Sequence, residues 1–404
     1  MKYAIALIAL ALPTYLIRFD IAGIPTTLLE LIIYAVFVWG LINIGYSQWK
    51  NIKTNFWLPI GILLIGAIVS TIISPSLRDS LGVLKAYFID PLLVLFLIIV
   101  YLKPADYLYV LLGLYGSSIF VSGHAIYQKI IHNVTADDRV IGIFGYSPNY
   151  LALYLAPIAI LLLVYGFYFA QKLDQKAKMW CWVATGLNFF ACFMAIYFSG
   201  SRGGLLALGA GIIFAIIVYF WKLLSKVKWV KIALAVVILV GIIAVGYIFK
   251  PNFSIDGSSG GRVSTSNNIR FQIWETSIEI IKSKPILGVG LGNFQNYFSV
   301  LTAKRVNFPE YITPLAFTPH NIFLTFYLTT SLFGLIGFIW ILVLALKNAF
   351  KNISKPLNLA LSSSLVVMLA QGLVDTPYFK NDLSLFFWIV IAGVIIINRK
   401  NTTQ

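Results

Sequence analysis

The sequence predicts an all-α protein that crosses a membrane about twelve times. Hydrophobic residues make up 60% of its 404 residues, charged residues only 11%, and the mean hydropathy is +0.89. Soluble globular domains do not have this composition. Apolar runs of roughly 20 residues, the length of helix that crosses about 30 Å of hydrocarbon, recur along the chain. We therefore expect one membrane domain, residues 1–404.

Twelve runs are long enough to be considered as spans. The first follows Lys2 and lacks the small-residue cleavage site of a secretory signal, so we interpret it as a retained helix. The runs lie at residues 3–18, 24–45, 56–74, 80–102, 106–130, 148–170, 180–198, 204–221, 229–249, 320–346, 357–374 and 383–398.

Lysines and arginines fall on opposite sides of this predicted topology. An even number of spans places both termini on one side, and the side with more basic residues in its short loops is cytoplasmic. That side carries Lys2, Lys50, Lys53, Lys103, Lys172, Lys176, Lys178, Lys222, Lys226, Lys228, Lys231, Lys347, Lys351, Lys355, Arg399 and Lys400. The outer side carries Arg18, Arg78, Arg139, Arg202, Arg262, Arg270 and Arg305.

The outer arginines predict that the protein binds anions outside the cytoplasm. Lysine would serve membrane topology equally well, whereas the planar guanidinium pairs with two phosphate oxygens at once and stays charged. For any one arginine, chance and ordinary ion pairing explain its position equally well. The net charge of +16 follows from membrane orientation and does not indicate nucleic acid.

One outer loop, residues 250–318 between the ninth and tenth spans, is much longer than the others. It begins with a polar Gly- and Ser-rich stretch, and apolar residues then recur at helical spacing over 268–283. We expect an amphipathic helix there, at the outer interface or packed on the bundle. The glycines that follow, among them Gly288 and Gly290, predict a turn where backbone approaches a ligand closely.

Two short motifs place functional side chains where an outer loop meets a span. In the first, Ser201-Arg202-Gly203-Gly204 opens the eighth span. A helix N-terminus offers unpaired N–H groups and a partial positive charge, so an arginine there suits a phosphate. The alternative is an arginine that only anchors the helix at the interface.

The second motif, Thr318-Pro319-His320-Asn321, opens the tenth span. Proline is favoured in the first turn of a helix, so it places His320 at the helix N-terminus. A neutral imidazole can accept a proton, as a general base must. A histidine at the interface without a catalytic role explains the position equally well.

The remaining candidates are few. Lys85, just inside the fourth span, is costly in a membrane unless it faces protein, water or an anion, so it is a site candidate. The chain has no HExxH motif, no cysteine cluster and no paired carboxylates of the nucleotide-sugar type, so we expect no metal and no cofactor.

Several motifs, in their order along the chain, resemble the O-antigen ligase and polymerase superfamily of bacterial envelopes. They are Ser201-Arg202-Gly203-Gly204, Arg270 followed by Trp274, Pro285-x-x-Gly288-x-Gly290, and His320-Asn321. The stretch from Arg139 to Asn149-Tyr150-Leu151-Ala152 is similar to the segment before the family's sixth helix.

The resemblance implies a metal-independent glycosyltransferase in the bacterial plasma (inner) membrane with its active site on the periplasmic face, and the distribution of basic residues predicts that both termini are cytoplasmic. The donor would be a glycan on undecaprenyl pyrophosphate, and a sugar hydroxyl of the acceptor would attack its anomeric carbon. The resemblance places Arg202 and Arg270 on the pyrophosphate and His320 at the hydroxyl. We add Arg139 and Lys85 as further pyrophosphate candidates. Direct attack predicts inversion at that carbon.

Three functions stay open at this point. We favour an O-antigen ligase, whose acceptor is a glycolipid of the lipid A-core type. A polysaccharide polymerase differs only in its acceptor, another lipid-linked glycan. A flippase for the same lipid-linked glycan needs a cationic cavity too, but its arginines should line the spans or lie on both sides, because the pyrophosphate must cross the membrane.

Overall fold

The computed structural model of the chain describes residues 1–45, 48, 52–145, 147–224, 266–303 and 316–399. Most of these residues are helical, and one short hairpin pairs β1 (Arg18–Ile21) with β2 (Ile24–Thr27). The helices are α1 (Lys2–Leu10), α2 (Leu28–Ile42), α3 (Trp57–Ile72), α4 (Leu77–Tyr101), α5 (Tyr107–Ile130), α6 (Pro148–Ala170), α7 (Gln175–Phe198), α8 (Arg202–Leu224), α9 (Ser266–Ser283), α10 (Phe294–Thr302), α11 (Ile322–Lys351), α12 (Pro356–Gly372) and α13 (Asn381–Asn398).

The fold is that of an all-α, multi-pass membrane protein. Seven helices in the described ranges are long and apolar enough to cross a membrane: α4, α5, α6, α7, α8, α11 and α13. Three shorter apolar helices, α2, α3 and α12, accompany them. Together these ten coincide with ten of the predicted runs. The predicted run 229–249 lies outside the described residues.

The first predicted run, residues 3–18, is not one continuous helix. The α-helix ends at Leu10 and a 3₁₀ turn, Leu12–Leu16, follows. Pro13 explains the change, because it has no N–H to donate to the preceding turn and its ring clashes with the carbonyl there. The chain then forms the hairpin, so the second run becomes helical only at Leu28.

The centre of the bundle is α13, which is buried along nearly its whole length. It packs on α4, α11 and α12, while α12 also packs on α6 and α8. The sequence of α13 is hydrophobic on every side, as expected for a helix that is surrounded by protein and has no face toward water or lipid. The turn between α12 and α13, residues 373–380, is thereby fixed at the end of the central helix.

Small residues bring α3 and α11 into close contact. A Cβ on Gly66 would lie 2.4 Å from the backbone nitrogen of Gly334, and one on Gly337 would lie 2.5 Å from that of Leu63. Neither position therefore tolerates a side chain. Glycines at facing positions are the usual means by which membrane helices pack backbone to backbone.

The helix α11 is broken in the middle, which the sequence did not predict. Thr330 has φ −123° and ψ 17°, and Ser331 has φ 66° and ψ 175°. The conformation of Ser331 is one that essentially only glycine adopts, and it costs about 1–3 kcal/mol. Such strain persists only where surrounding structure imposes it.

The glycine-rich segment Pro285–Asn293, called the inserted segment below, lies against this break. Gly288 and Gly290 have φ +68° and +93°. A Cβ on Gly288 would lie 2.3 Å from the carbonyl oxygen of Leu328, and one on Gly290 would lie 2.9 Å from the Cα of Ser74. At these two glycines the segment therefore lies against the backbone of α11 and of Ser74, just after α3.

The amphipathic helix predicted in the long outer loop is present as α9. It begins at Ser266, two residues before the predicted start, and buries Ile273 and Ile280. Ile278, on another side, is exposed. The helix contacts α11 and α10, so it is packed on the bundle.

Candidate functional site

His320 lies immediately before α11, on the residue that precedes its N-cap. The side-chain oxygen of Asn321 accepts hydrogen bonds from the backbone N–H groups of Phe323 and Leu324, so the helix begins two residues later than the sequence predicts. His320 itself has φ +48°, a left-handed conformation that is rare outside glycine and that clusters at functional sites. Its side chain is one third exposed.

Asp375 is the partner of this histidine. Its Oδ1 lies 3.3 Å from His320 Nδ1 and also accepts the backbone N–H of Thr376 at 2.9 Å. With Nδ1–H donating to the carboxylate, Nε2 keeps its lone pair and can accept a proton. Burial raises the pKa of Asp375, but the hydrogen bond and charge of His320, the charge of Arg270 and the Thr376 N–H lower it further, so it lies below its ordinary value.

Arg270 reaches the same turn from α9. Its Nε donates to the carbonyl of Val374 at 2.9 Å, and one helical turn further on the indole Nε1 of Trp274 donates to the carbonyl of His320 at 3.4 Å. Burial and the nearby positive charge of Arg139 lower the pKa of Arg270 despite the opposing effect of Asp375. Guanidinium ionises so far above neutrality that Arg270 remains a cation.

Arg139 is held between the start of α6 and the turn before α8. Its Nε donates to the carbonyl of Ser199 at 2.6 Å, and its Nη2 donates to Oδ1 of Asn149 at 3.1 Å. Gly200 has φ +63°, and a Cβ there would lie 2.9 Å from the Arg139 Nε. The glycine thus leaves room for the guanidinium against the backbone.

The motif Ser201-Arg202-Gly203-Gly204 begins α8. The Ser201 hydroxyl is buried and accepts the backbone N–H of Gly204 at 3.4 Å. A Cβ on Gly203 would lie 3.1 Å from the Val374 side chain, and one on Gly204 would lie 2.5 Å from Ala152. The glycines therefore let the helix pack tightly. The Arg202 side chain is exposed and forms no hydrogen bond or ion pair with any other residue that the structure describes.

The turn after α12 joins these groups. Val374 receives the Arg270 hydrogen bond and lies beside Gly203, Leu373 O accepts the Asn321 side chain at 3.0 Å, and Asp375 bonds His320. The structure thus gathers Arg270, His320 and the start of α8 around one turn, and Arg139 lies close enough for its charge to affect Arg270.

Lys85 has different partners. Its ammonium forms an ion pair with Glu30 at 2.8 Å and donates to the carbonyl of Pro25 at 3.0 Å. It opens a π-helical turn within α4, where the carboxylate of Glu30 is almost fully buried. Among the described residues, none of its contacts reaches Arg139, Arg202, Arg270 or His320.

Of the other outer arginines, Arg78 donates to the carbonyl of Gly23 at 2.9 Å and so fastens the hairpin. Arg18 belongs to β1. Arg262 and Arg305 lie outside the described residues.

The sequence did not single out Asp375 or Lys380. Asp375 is the first carboxylate after the eleventh predicted span, which was the one available signal. Lys380 places its Nζ 3.8 Å from the centre of the Tyr150 ring, beside the Asn149 that holds Arg139. Within the described ranges, no three His, Cys, Asp or Glu side chains lie close enough together to hold a metal ion.

Comparison with known proteins gives one family model that matches part of the chain. Residues 187–342 match a family model described as O-antigen ligase. The match begins in α7 and ends in α11, so it includes Arg202, Arg270 and His320. The resemblance found in the motifs is confirmed over this range. No curated protein gives a significant match to the chain.

Proposed function

We propose that the chain transfers a glycan from undecaprenyl pyrophosphate to a sugar hydroxyl of an acceptor, and the match of residues 187–342 to the O-antigen ligase family model supports this. The observation that carries the proposal is the turn at Val374 and Asp375. There a histidine paired with a carboxylate lies beside a half-buried arginine. A proton acceptor and a fixed cation side by side suit a transfer in which a hydroxyl attacks and a pyrophosphate leaves.

In the proposed reaction His320 is the general base. Its Nε2 accepts the proton of the acceptor hydroxyl as the oxygen forms a bond to the anomeric carbon. Asp375 holds Nδ1 and stabilises the imidazolium that forms. The bond from that carbon to the pyrophosphate oxygen breaks, and its electron pair leaves with the pyrophosphate. A single direct displacement inverts the anomeric configuration.

The arginines bind and stabilise the leaving group. Arg270 and Arg139 are held by carbonyl and amide oxygens, so their guanidinium groups are fixed before the donor arrives. Arg202 is exposed at a helix N-terminus, where the helix dipole adds to its charge.

We further propose that the reaction takes place on the outer face of the bacterial plasma membrane and that both termini are cytoplasmic. The distribution of lysines and arginines supports this orientation. The acceptor we favour is a glycolipid of the lipid A-core type, as for a ligase. A polymerase is the second candidate, because the same base and cations would serve another lipid-linked glycan as acceptor.

Transfer by the purified protein tests the proposal. The protein would be reconstituted with a synthetic polyprenyl-pyrophosphate glycan, first with a lipid A-core acceptor and then with a second lipid-linked glycan, in the presence of EDTA. We expect one acceptor to be extended with inverted configuration, and we expect His320→Ala to abolish extension. A flippase would move the donor across the bilayer, extend neither acceptor and tolerate His320→Ala.

A further inference from the structure

The break in α11 is filled by backbone from the inserted segment. In an unbroken helix the N–H of Leu332 would donate to the carbonyl of Leu328. Here Leu332 N–H donates to Ile286 O at 2.9 Å, and Leu328 O accepts Val289 N–H at 2.8 Å. The inserted segment therefore satisfies both groups of one missing helical hydrogen bond.

The same segment is bonded to the outer end of α3 and the start of α4. Leu291 N–H donates to Ser70 O at 3.0 Å. Its carbonyl accepts the hydroxyls of Ser74 at 3.2 Å and Ser80 at 2.7 Å. On the α11 side, Tyr327 Oη donates to Pro285 O at 2.7 Å. The segment is thus held on both sides by hydrogen bonds to its backbone.

This joint connects two parts of the candidate site. The inserted segment follows α9 after a single residue, and α9 carries Arg270. The outer half of α11, above the break, begins directly after His320. Helices are stiff over this length, so the position of the inserted segment against α11 determines where Arg270 stands relative to His320.

We propose that the inserted segment and the broken α11 form a joint that sets the spacing of Arg270 and His320, with Gly288 and Ser331 as its positioning residues. The inference rests on the proposed glycosyl transfer, in which His320 acts on the attacking hydroxyl and Arg270 on the leaving pyrophosphate, on opposite sides of the anomeric carbon. The strained backbone of Ser331 agrees with it, because strain of this kind is retained where function requires one geometry.

A pair of glycine variants tests the joint. Gly288→Ala introduces a Cβ 2.3 Å from Leu328 O and must displace the segment. Gly292→Ala is the matched control: its φ of +74° makes alanine equally strained, but its Cβ would meet only the Val83 side chain, at 3.5 Å. We expect Gly288→Ala to lower kcat about 10²-fold with little change in donor KM, as for a misplacement of about 1 Å, and Gly292→Ala to stay near wild type.

A distance measurement provides a readout that does not depend on activity. Spin labels would be placed at Ile278 on α9 and at Phe317, three residues before His320, both exposed, after replacement of Cys181 and Cys192. We expect Gly288→Ala to shift or broaden the distance distribution and Gly292→Ala to leave it unchanged. Absence of transfer by the wild-type protein would refute the proposed function, and the spin labels would still show whether the joint fixes the distance between the two labelled positions.

A milder variant applies if Gly288→Ala does not fold. Tyr327→Phe removes one hydrogen bond from the joint and leaves the backbone intact. We expect kcat to fall about 2- to 10-fold, the equivalent of one neutral hydrogen bond, with the same broadening of the spin-label distances. The proposal is overturned if either variant changes the distances without changing kcat, or if Gly288→Ala behaves as Gly292→Ala does.

Discussion

Replacement of Asp375 by asparagine should slow transfer without removing the protein's ability to bind its donor. Two unit charges 3.3 Å apart attract by about 5 kcal/mol at an effective dielectric constant of about 20. Since the His320 side chain is one third exposed, screening reduces this to about 3 kcal/mol. That energy is lost from the transition state, where the imidazole gains its charge, so kcat should fall about 10²-fold.

The assay is single-turnover transfer from a synthetic donor, with donor binding measured separately. Asp79→Asn is the control, because Asp79 is an exposed carboxylate on the same face that bonds only to Ser76 among the residues described. Asparagine keeps an acceptor oxygen for the Thr376 N–H, so the turn should remain folded. A kcat for Asp375→Asn within about threefold of wild type would refute the role of the carboxylate, since the expected loss is about 10²-fold.

Stability should depend on pH through the same residue. The folded protein lowers the pKa of Asp375 below its ordinary 3.8, so its ionised form stabilises the fold at every pH above that value. This contribution is lost as the pH falls through the lowered pKa. We therefore expect Asp375→Asn to lower Tm between pH 5 and pH 8, and the difference from wild type to narrow below pH 3.8.

Three further variants address the remaining cations. Arg270→Lys should lower transfer about 10-fold or more, because an ammonium cannot both bond Val374 O and present a planar fork to a phosphate; single-turnover rates measure this. Gly200→Ala should destabilise the folded protein by about 1 kcal/mol and raise donor KM, because the added Cβ pushes against the Arg139 Nε. Thermal unfolding measures the loss of stability, and donor titration measures the change in KM. Lys85→Met should lower Tm and leave donor KM unchanged, because it removes the ion-pair partner of the buried Glu30 carboxylate. A raised donor KM would instead indicate that Lys85 binds the pyrophosphate.

The membrane fold followed from the sequence because bilayer thickness dictates the length and polarity of each span. Arg202 and His320 became candidates for a related reason, because each lies where an outer loop meets a predicted span, whereas Arg270 lies in the long outer loop and became a candidate through the family resemblance. Local sequence was therefore sufficient to predict features that depend directly on the difference in polarity between the bilayer and water.

The partnership of His320 with Asp375 could not be predicted. The two residues are 55 positions apart, and an aspartate after a span looks in isolation like an ordinary solvated loop residue. The break in α11 was hidden for a similar reason. Residues 320–346 form an unbroken apolar run with no proline, and the break arises because the backbone of a distant segment replaces one of the helix's own hydrogen bonds.

The way in which the cations are held has an electrostatic consequence. Arg139 and Arg270 bond to the carbonyls of Ser199 and Val374, which fix their position without neutralising them. Asp375 is shared with His320, and the Asp137 carboxylate lies 3.7 Å from Arg139 in an exposed pair that contributes little. Hydrogen bonds to neutral carbonyls leave the guanidinium groups charged, and the pyrophosphate of the proposed donor would pair with them. Donor KM should accordingly rise with ionic strength, whereas kcat at saturating donor should change less, because Asp375 is buried and only 3.3 Å from His320, so salt weakens their interaction less than that of an exposed pair.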